Sequence, residues 1–204
     1  MFVENDPDAF ELLRQIPPRF SEIECETYPG EFEGRIAEAR RFAASGPKPF
    51  AFVFIDPTGW TGYGLQAISP LLQVRPSEVL INFMTKDITR FIDDGDSTAL
   101  QSFIDLFGDA HYRDAWRGLA GIEREDAIVT AYCDRVRRAG NFEHCVATII
   151  LNAKRDRTHY HLVYATRSLQ GLITFRDTER TAVPEQREIR ADAKQRDRIA
   201  ARGQ

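Results

Sequence analysis

Residues 50–60 hold the side chains best suited to chemistry. Residues 50–55 form an unbroken apolar run, which Asp56 and Pro57 follow directly and Trp60 follows shortly after. Such a run, without polar alternation, is typical of a strand buried on both faces of a parallel sheet. Proline ends the strand because it has no amide hydrogen to donate. Ligands of open α/β sheets bind beyond the carboxyl ends of the strands, so we predict that Asp56 lines a binding site.

The same segment also has an ordinary structural interpretation. Asp, Pro and Gly are common turn residues, and every α/β domain needs such loops. Gly59, Gly62 and Gly64 are not followed by Gly-Lys-Ser or Gly-Lys-Thr. The glycines therefore do not form a phosphate-binding loop, and nucleotide hydrolysis is disfavoured.

Two further polar groups are candidates with simpler alternatives. His159 and His161 share one face of a predicted strand and could hold a metal, but no nearby carboxylate or cysteine completes a ligand set. We therefore predict no metal site and interpret them as a plain edge-strand pair. Lys154, Arg155 and Arg157 could contact a phosphate backbone. A solvated hairpin tip is favoured instead, so a nucleic-acid partner has no clear support.

The elements that must position these residues alternate between strands and helices. The predicted strands lie at residues 2–4, 23–26, 50–55 and 79–83, and the predicted helices at residues 7–16, 31–44 and 65–72. Strands that alternate with helices at this spacing indicate parallel strands joined by right-handed crossovers. The sequence therefore predicts an α/β fold with a mostly parallel sheet.

The second half of the chain follows a different pattern. Residues 86–139 are predicted to be a mainly helical insertion. Residues 145–151 and 159–166 are predicted strands, and their short polar link favours an antiparallel hairpin. A helix near residues 169–181 completes a single predicted domain over residues 1–183. Residues 184–204 form a tail of mixed charge, which we expect to be an exposed helix or a disordered end.

Composition limits the functional classes. The 204 residues are 43% hydrophobic and 28% charged, with a net charge of −4, which disfavours broad, nonspecific binding to phosphates. No apolar run approaches the roughly 20 residues of a membrane span. Cys25, Cys133 and Cys145 are widely spaced, which indicates reduced thiols rather than a disulfide framework. These features predict a cytoplasmic protein with no membrane contact.

The order of elements, with its final hairpin, resembles the Rossmann-like methyltransferases that use S-adenosylmethionine. Four segments also resemble the bacterial three-Cys-motif partner (TcmP) family: residues 55–60, 78–83, 89–91 and 161–172. That family is similar in fold to these methyltransferases and occurs in bacterial and phage gene neighbourhoods. The resemblance extends from Phe2 to about Arg180. It implies S-adenosylmethionine as cofactor and a protein partner encoded nearby.

The resemblance also implies a cofactor-binding set. Glu4, at the end of a strand, would accept hydrogen bonds from the two ribose hydroxyls, because a carboxylate offers several acceptor lone pairs and no donor. Glu31 with Phe32 would hold the adenine, although the family more often has Asp at the position of Glu31. Glu4 has an alternative role as a cap or ion-pair partner at a helix start.

The catalytic residues that the resemblance implies are Asp56, Pro57 and Trp60. In amino-methyltransferases the acid orients the target amine towards the methyl group, at a distance of about 3–3.5 Å, and an adjacent aromatic ring stacks on the target or approaches the cationic sulfur. Here Thr58 replaces the second proline of that motif, and the aromatic residue comes later. This departure from the motif weakens the expectation that the target is a nucleobase amine.

One expected element is missing from the sequence. In this fold the first strand and its glycine-rich loop precede the position of Glu4, but nothing precedes Met1. Either the strands on both sides of the gap pair directly, or the chain is a fragment. We favour the fragment, because closing the gap would displace the helices that cover the missing strand. The sequence thus predicts a methyltransferase homologue with little activity as it stands, or alternatively a non-catalytic interaction partner of a neighbouring gene product.

Overall fold

The computed structural model describes residues 1–93 and 96–202, and in them seven α-helices and six strands. The strands are β1 (Phe2–Glu4), β2 (Thr27–Pro29), β3 (Ala51–Ile55), β4 (Ser77–Phe83), β5 (His144–Leu151) and β6 (Thr158–Thr166). The helices are α1 (Pro7–Leu13), α2 (Ile36–Ala43), α3 (Leu65–Leu72), α4 (Thr85–Phe91), α5 (Ser97–Phe107), α6 (Gly121–Gly140) and α7 (Leu169–Arg202). Short 3-10 turns lie at Pro17–Arg19, Phe32–Arg35 and Tyr112–Trp116.

The strands form two sheets, and the predicted α/β class is confirmed. β1 pairs in parallel with β2, and β3 pairs in parallel with β4. The second sheet has the order β3-β4-β6-β5, in which β6 is antiparallel to both of its neighbours. Three of its four strands therefore point the same way, and β5 and β6 form the predicted antiparallel hairpin. β1 and β3 belong to different sheets, so the strands beside the predicted gap do not pair directly.

Local sequence signals explain where the helices begin and end. Asp6 accepts a hydrogen bond from the Ala9 amide at 2.8 Å and caps α1, whose first residue is Pro7. Proline suits this position because the first helical amides have no partner within the helix. Asp96 caps α5 in the same way through the Thr98 amide. Gly108 ends α5 at φ +67°, in the left-handed region that glycine adopts without strain.

The core lies on one face of the larger sheet. Val79, Ile81 and Phe83 of β4 are fully buried there and belong to one apolar cluster with side chains of α3, α5 and α6. Aromatic rings make up much of this cluster: Phe83 stacks on Tyr132 with centroids 4.3 Å apart. This core holds β3 and β4 rigidly and so fixes the direction of the loops that follow them.

Two predicted elements differ from the structure. The strand expected at residues 23–26 is wrong, because the segment that pairs with β1 is Thr27–Pro29 and Ile23 is an exposed residue in the preceding turns. β6 lies between β4 and β5, so the interpretation of its histidines as an edge-strand pair is also wrong.

The charged tail is helical in its described part. α7 continues through Pro184 to Arg202, and residues 203–204 lie outside the described residues. The hairpin holds this helix: the Leu151 amide donates to Gln186 Oε1 at 3.0 Å, and Arg190 Nε donates to the Asn152 carbonyl at 2.9 Å. These contacts hold the part of α7 that follows Pro184 against the hairpin.

The helical insertion predicted for residues 86–139 corresponds to α4, α5 and α6, apart from residues 94–95, which lie outside the described residues. Within residues 1–93 and 96–202, none of the helices combines the length and the apolar character needed to cross a membrane.

Candidate functional site

A groove of about 720 Å³ separates the two sheets. β1 forms one wall and β3 the other, and the loops that follow β1, β2 and β3 form one end. We call this feature the β1–β3 groove. Its volume falls in the range of small-molecule sites, and its loop end lies at the carboxyl ends of parallel strands, where α/β proteins bind ligands.

Contacts between the loops bring the three strand ends together. Asn5, after β1, donates through Nδ2 to Glu31 Oε1 at 3.3 Å. Gly62, in the loop after β3, lies so close to Glu31 that an added Cβ would stand 3.8 Å from Glu31 Oε2. Glu33 accepts a hydrogen bond from the Gly64 amide at 2.6 Å. β1, β2 and β3 therefore point towards the same end of the groove.

The two predicted cofactor carboxylates lie in this groove. Glu4 is the last residue of β1, and its Oε1 accepts a hydrogen bond from the Asp6 amide at 2.8 Å. Glu31 follows β2 and is exposed to solvent. Phe32 beside it is half-buried, lines the groove and packs on the edge of the core. The structure thus brings Glu4, Glu31 and Phe32 to one surface.

Asp56 and Pro57 line the same groove beyond β3. The Asp56 carboxylate is exposed and accepts a short hydrogen bond from Asn82 Nδ2. Asn82 belongs to β4 at the register position opposite Asp56, because Ile55 pairs with Ile81. The adjacent strand therefore fixes the orientation of the Asp56 carboxylate and leaves its other lone pairs free to accept hydrogen bonds.

Asn82 is a candidate that the sequence did not single out. Its side chain is buried with a residue exposure of 8%, and its Oδ1 has no hydrogen-bond partner among the described residues. An unpaired buried acceptor is unusual in a folded protein. The available signal was its place near the carboxyl end of a buried apolar strand, next to the strand that carries Asp56.

Trp60 lies outside the groove and among the helices instead. Its ring stands 4.9 Å from that of Phe91 and 5.4 Å from that of Phe103, measured between centroids. Its Nε1 donates to Ser102 Oγ at 2.9 Å. The structure therefore does not bring Trp60 together with Asp56 and Pro57, and its ring packs against α4 and α5.

Tyr63 is a groove residue that the sequence analysis missed. It is fully buried, and its hydroxyl has no hydrogen-bond partner among the described residues. Burial raises the pKa of Tyr63 well above its ordinary value, so the phenol stays protonated and remains a hydrogen-bond donor. In the sequence, the only available signal was that Tyr63 lies in the loop after β3. A tyrosine in a glycine-rich loop gives no other indication of a functional role.

The charge of the groove is one-sided. Glu4, Glu31 and Asp56 contribute carboxylates, and apart from the amino group of Met1 the described lining contains no Lys, Arg or His. A cleft lined by one sign of charge attracts ligands of the opposite sign. The groove therefore suits a ligand with positive charge or many hydrogen-bond donors, and it disfavours a phosphate-rich one.

The histidines of β6 lie outside the lining of the groove. His161 is buried, and its Nδ1 lies 2.7 Å from Thr85 Oγ1. The same hydroxyl lies 3.0 Å from the Phe83 carbonyl, to which it can donate, and this bond favours the imidazole tautomer with the proton on Nδ1. Burial lowers the pKa of His161, although Glu125 and Asp126 oppose this shift. Across residues 1–93 and 96–202, no group of three His, Cys, Asp or Glu is arranged to hold a metal.

No model of a known protein family matches the sequence, and no curated protein matches it significantly.

Proposed function

We propose that the protein is a methyltransferase homologue of the TcmP kind that binds S-adenosylmethionine in the β1–β3 groove. One observation carries the proposal: five of the six side chains predicted for cofactor and substrate come from three separate strand ends and line a single groove. The topology supports it as well. β1 pairs in parallel with β2, and the larger sheet has the order β3-β4-β6-β5 with β6 antiparallel, which is compatible with the Rossmann-like methyltransferase fold that the resemblance implies.

The residues of the groove suit the nucleoside part of this cofactor. Glu4 would accept hydrogen bonds from the ribose hydroxyls, and Glu31 with Phe32 would hold the adenine through an acceptor and an apolar face. Carboxylates that only accept hydrogen bonds fit a ligand with many donors and a cationic sulfur. When bound, the cofactor supplies an electrophilic methyl group.

Asp56 would hold the methyl acceptor. A carboxylate that accepts hydrogen bonds from an amine directs the nitrogen lone pair away from itself, and correct orientation of reacting groups accounts for much of enzymatic rate enhancement. The hydrogen bond from Asn82 fixes the Asp56 carboxylate. Less side-chain conformational entropy is therefore lost when the acceptor binds. The acceptor is then a nitrogen compound rather than an anion.

Calorimetric titration with S-adenosylhomocysteine tests this proposal on two proteins: the 204-residue chain and the product of the same reading frame with any upstream codons included. We expect Glu4→Gln and Glu31→Gln each to weaken binding about tenfold or more, because each loses a charged hydrogen-bond acceptor. Glu11→Gln is the matched control, since Glu11 is exposed on α1 beside Arg14. An absence of binding heat in both proteins, or equal affinity in all variants, would refute the proposal.

A second candidate function is that of a non-catalytic partner of a neighbouring gene product. Exposed phenylalanines on and just before β3 favour it: Phe50, which precedes the strand, and Phe52 and Phe54 within it are 59%, 56% and 53% exposed. Large exposed apolar surfaces often mark protein interfaces. A pull-down with the neighbouring gene product distinguishes the two functions, because partner binding should survive Asp56→Ala and need no cofactor. Loss of the complex in Phe52→Glu but not in Asp56→Ala would support the partner role.

A further inference from the structure

A second cavity, of about 380 Å³, lies at the opposite end of the larger sheet from the loop end of the β1–β3 groove. The start of β4 and the end of β6 meet there, because β6 runs antiparallel to β4 and Ser77 and Thr166 both line the cavity. Phe50, Arg75 and Arg167 also line it. We call this feature the Arg75 cavity. Its volume falls in the range of small-molecule sites.

Two arginine side chains meet at the Arg75 cavity without a carboxylate between them. Neither Arg75 nor Arg167 belongs to an ion pair among the described residues. Burial and the positive charge of Arg75 both lower the pKa of Arg167, and no carboxylate contributes to this shift. Because like charges at short range repel each other, the pair has an excess of positive charge that an anion would relieve.

The two arginines differ in the hydrogen-bond donors that they leave available. Arg167 donates all five of its N–H groups to the ends of α3 and α6 and to the start of β4, so it contributes only its charge. Its acceptors are the carbonyls of Leu72, Val74, Gly140 and Asn141 and the Ser77 hydroxyl. Arg75 is exposed, and its guanidinium makes no hydrogen bond with the described residues. Its five N–H groups are therefore available to a ligand.

Ser168 adds further donors to the Arg75 cavity. Its Oγ accepts a hydrogen bond from the Gly171 amide at 3.2 Å, as a helix cap does. Its own hydroxyl hydrogen has no acceptor among the described residues. The Leu169 and Gln170 amides that follow have no acceptor within α7, as in the first turn of any helix. The arginines define the site, and these donors add to it.

One carboxylate lines the Arg75 cavity, but its partners are hydroxyl groups. Glu78 Oε1 accepts a hydrogen bond from Thr166 Oγ1 at 3.1 Å, and the Tyr164 hydroxyl also bonds to Glu78. Gly171 of α7 lies so close that an added Cβ would clash with Glu78 Oε1. Glu78 is therefore held between β6 and α7, and the side of the cavity that Arg75 lines stays cationic.

We propose that the Arg75 cavity binds a phosphate monoester with a small apolar body. Such a group carries nearly two negative charges near pH 7, which balance the two arginines. The guanidinium fork of Arg75 binds two of its oxygens, and the donors around Ser168 bind the third. Phe50, which is 59% exposed, and Pro76 supply apolar walls for the organic part. Both arginines lie outside the lining of the β1–β3 groove, so this site does not depend on the proposed function.

Ligand titrations of the 204-residue chain, followed by NMR of its backbone amides, test this proposal. The ligands are phenyl phosphate, inorganic phosphate and benzoate, each at about 0.15 M salt to screen nonspecific attraction. We expect phenyl phosphate to bind about tenfold more tightly than either of the others, because it alone combines a doubly charged group with a ring. The amide signals of Ser77, Ser168 and Leu169 should shift, whereas those of Glu4 and Asp56 in the groove should not.

Arg75→Gln removes the expected anion ligand and leaves the core intact, since Arg75 is exposed. We expect it to weaken phenyl phosphate binding about tenfold or more, because a charged, two-pronged contact is lost. Arg40→Gln is the matched control, as it removes the same charge from an exposed site on α2 and should change the affinity less than about twofold. Phe50→Ala should weaken the binding of phenyl phosphate but not that of inorganic phosphate, because it removes only an apolar wall.

Three results would overturn the proposal. The first is the absence of saturable shifts at the Arg75 cavity with millimolar phenyl phosphate. The second is equal affinity for phenyl phosphate in the wild-type protein and Arg75→Gln. The third is benzoate or inorganic phosphate that binds as tightly as phenyl phosphate, since the cavity would then not recognise a phosphate monoester. None of these results depends on S-adenosylhomocysteine binding, so the proposed function is judged separately.

Discussion

The two halves of the larger sheet differ in how they are covered. At the hairpin end, the core stacks Phe83 on Tyr132 on one face, and α7 stacks Phe175 on Tyr164 on the other, with centroids 4.3 and 4.5 Å apart. At the β3 end only one face meets a helical layer. The phenylalanines of the other face remain open to solvent.

This difference is one of position and not of residue type. Phe54 of β3 and Tyr164 of β6 are aromatic residues on the same face of the sheet, because both lie in register with Leu80 of β4, yet they are 53% and 5% exposed. Apolar surface that stays in contact with water contributes no burial free energy. The closed half therefore stabilises the fold, while the open half holds the carboxylates of the groove and the surface available for further contacts.

The largest expected effect comes from the closed half. Phe107→Ala should reduce the free energy of unfolding by about 3–5 kcal/mol, because it removes a fully buried ring and leaves a cavity. The Phe107 ring lies 5.5 Å from Tyr112 and 5.4 Å from Trp116, so several partners lose contact at once. Urea unfolding followed by tryptophan fluorescence measures the change.

Phe20→Ala is the matched control for this prediction, since it removes the same ring from an exposed site and should cost little. If Phe107→Ala proves too unstable to purify, Phe107→Leu should still lose stability by a smaller amount. A loss below about 1 kcal/mol for Phe107→Ala would mean that the aromatic cluster is not the main core.

At the β3 end of the sheet, the sequence predicted the strand and the residue that follows it better than it predicted which loop side chains face the groove. The apolar run and the proline after it indicated that Asp56 follows a strand, and in the structure it lies directly beyond β3 and lines the groove, because the direction of a parallel strand follows from its connections. Trp60 and Tyr63 lie in a loop of several residues, and the loop conformation decides which ring faces the groove. The sequence gave no indication of a role for Asn82, because a single polar residue in an apolar strand does not form a periodic pattern. β2 forms where it does because it pairs with β1, and local β-propensity carries no information about that pairing between distant segments.

A smaller effect concerns how stability depends on pH, and it comes from His161 of β6, in the hairpin. Burial lowers the pKa of this imidazole, so the unfolded chain binds a proton more readily than the folded protein below about pH 6.5, the usual His value. The protein should therefore lose stability as the pH falls from 7 to 5. His161→Asn, whose amide can still donate to Thr85, should reduce this loss.

Urea unfolding midpoints at pH 7, 6 and 5 measure the slope in each protein. His111→Asn is the matched control, because it removes an exposed histidine. The difference between the two variants should be smaller than the effect of Phe107→Ala. Equal slopes in the wild-type protein and His161→Asn would show that His161 is protonated in the folded state as easily as in the unfolded chain.

The smallest expected effect lies on the phenylalanine face. Phe54→Ala should change the free energy of unfolding of the 204-residue chain by no more than about 0.5 kcal/mol, because more than half of the side chain is already in water. Urea unfolding of the wild-type protein and Phe54→Ala measures the difference. A cost above about 2 kcal/mol would show that the Phe54 ring is buried in solution, and the contrast between the two halves of the sheet would then not hold.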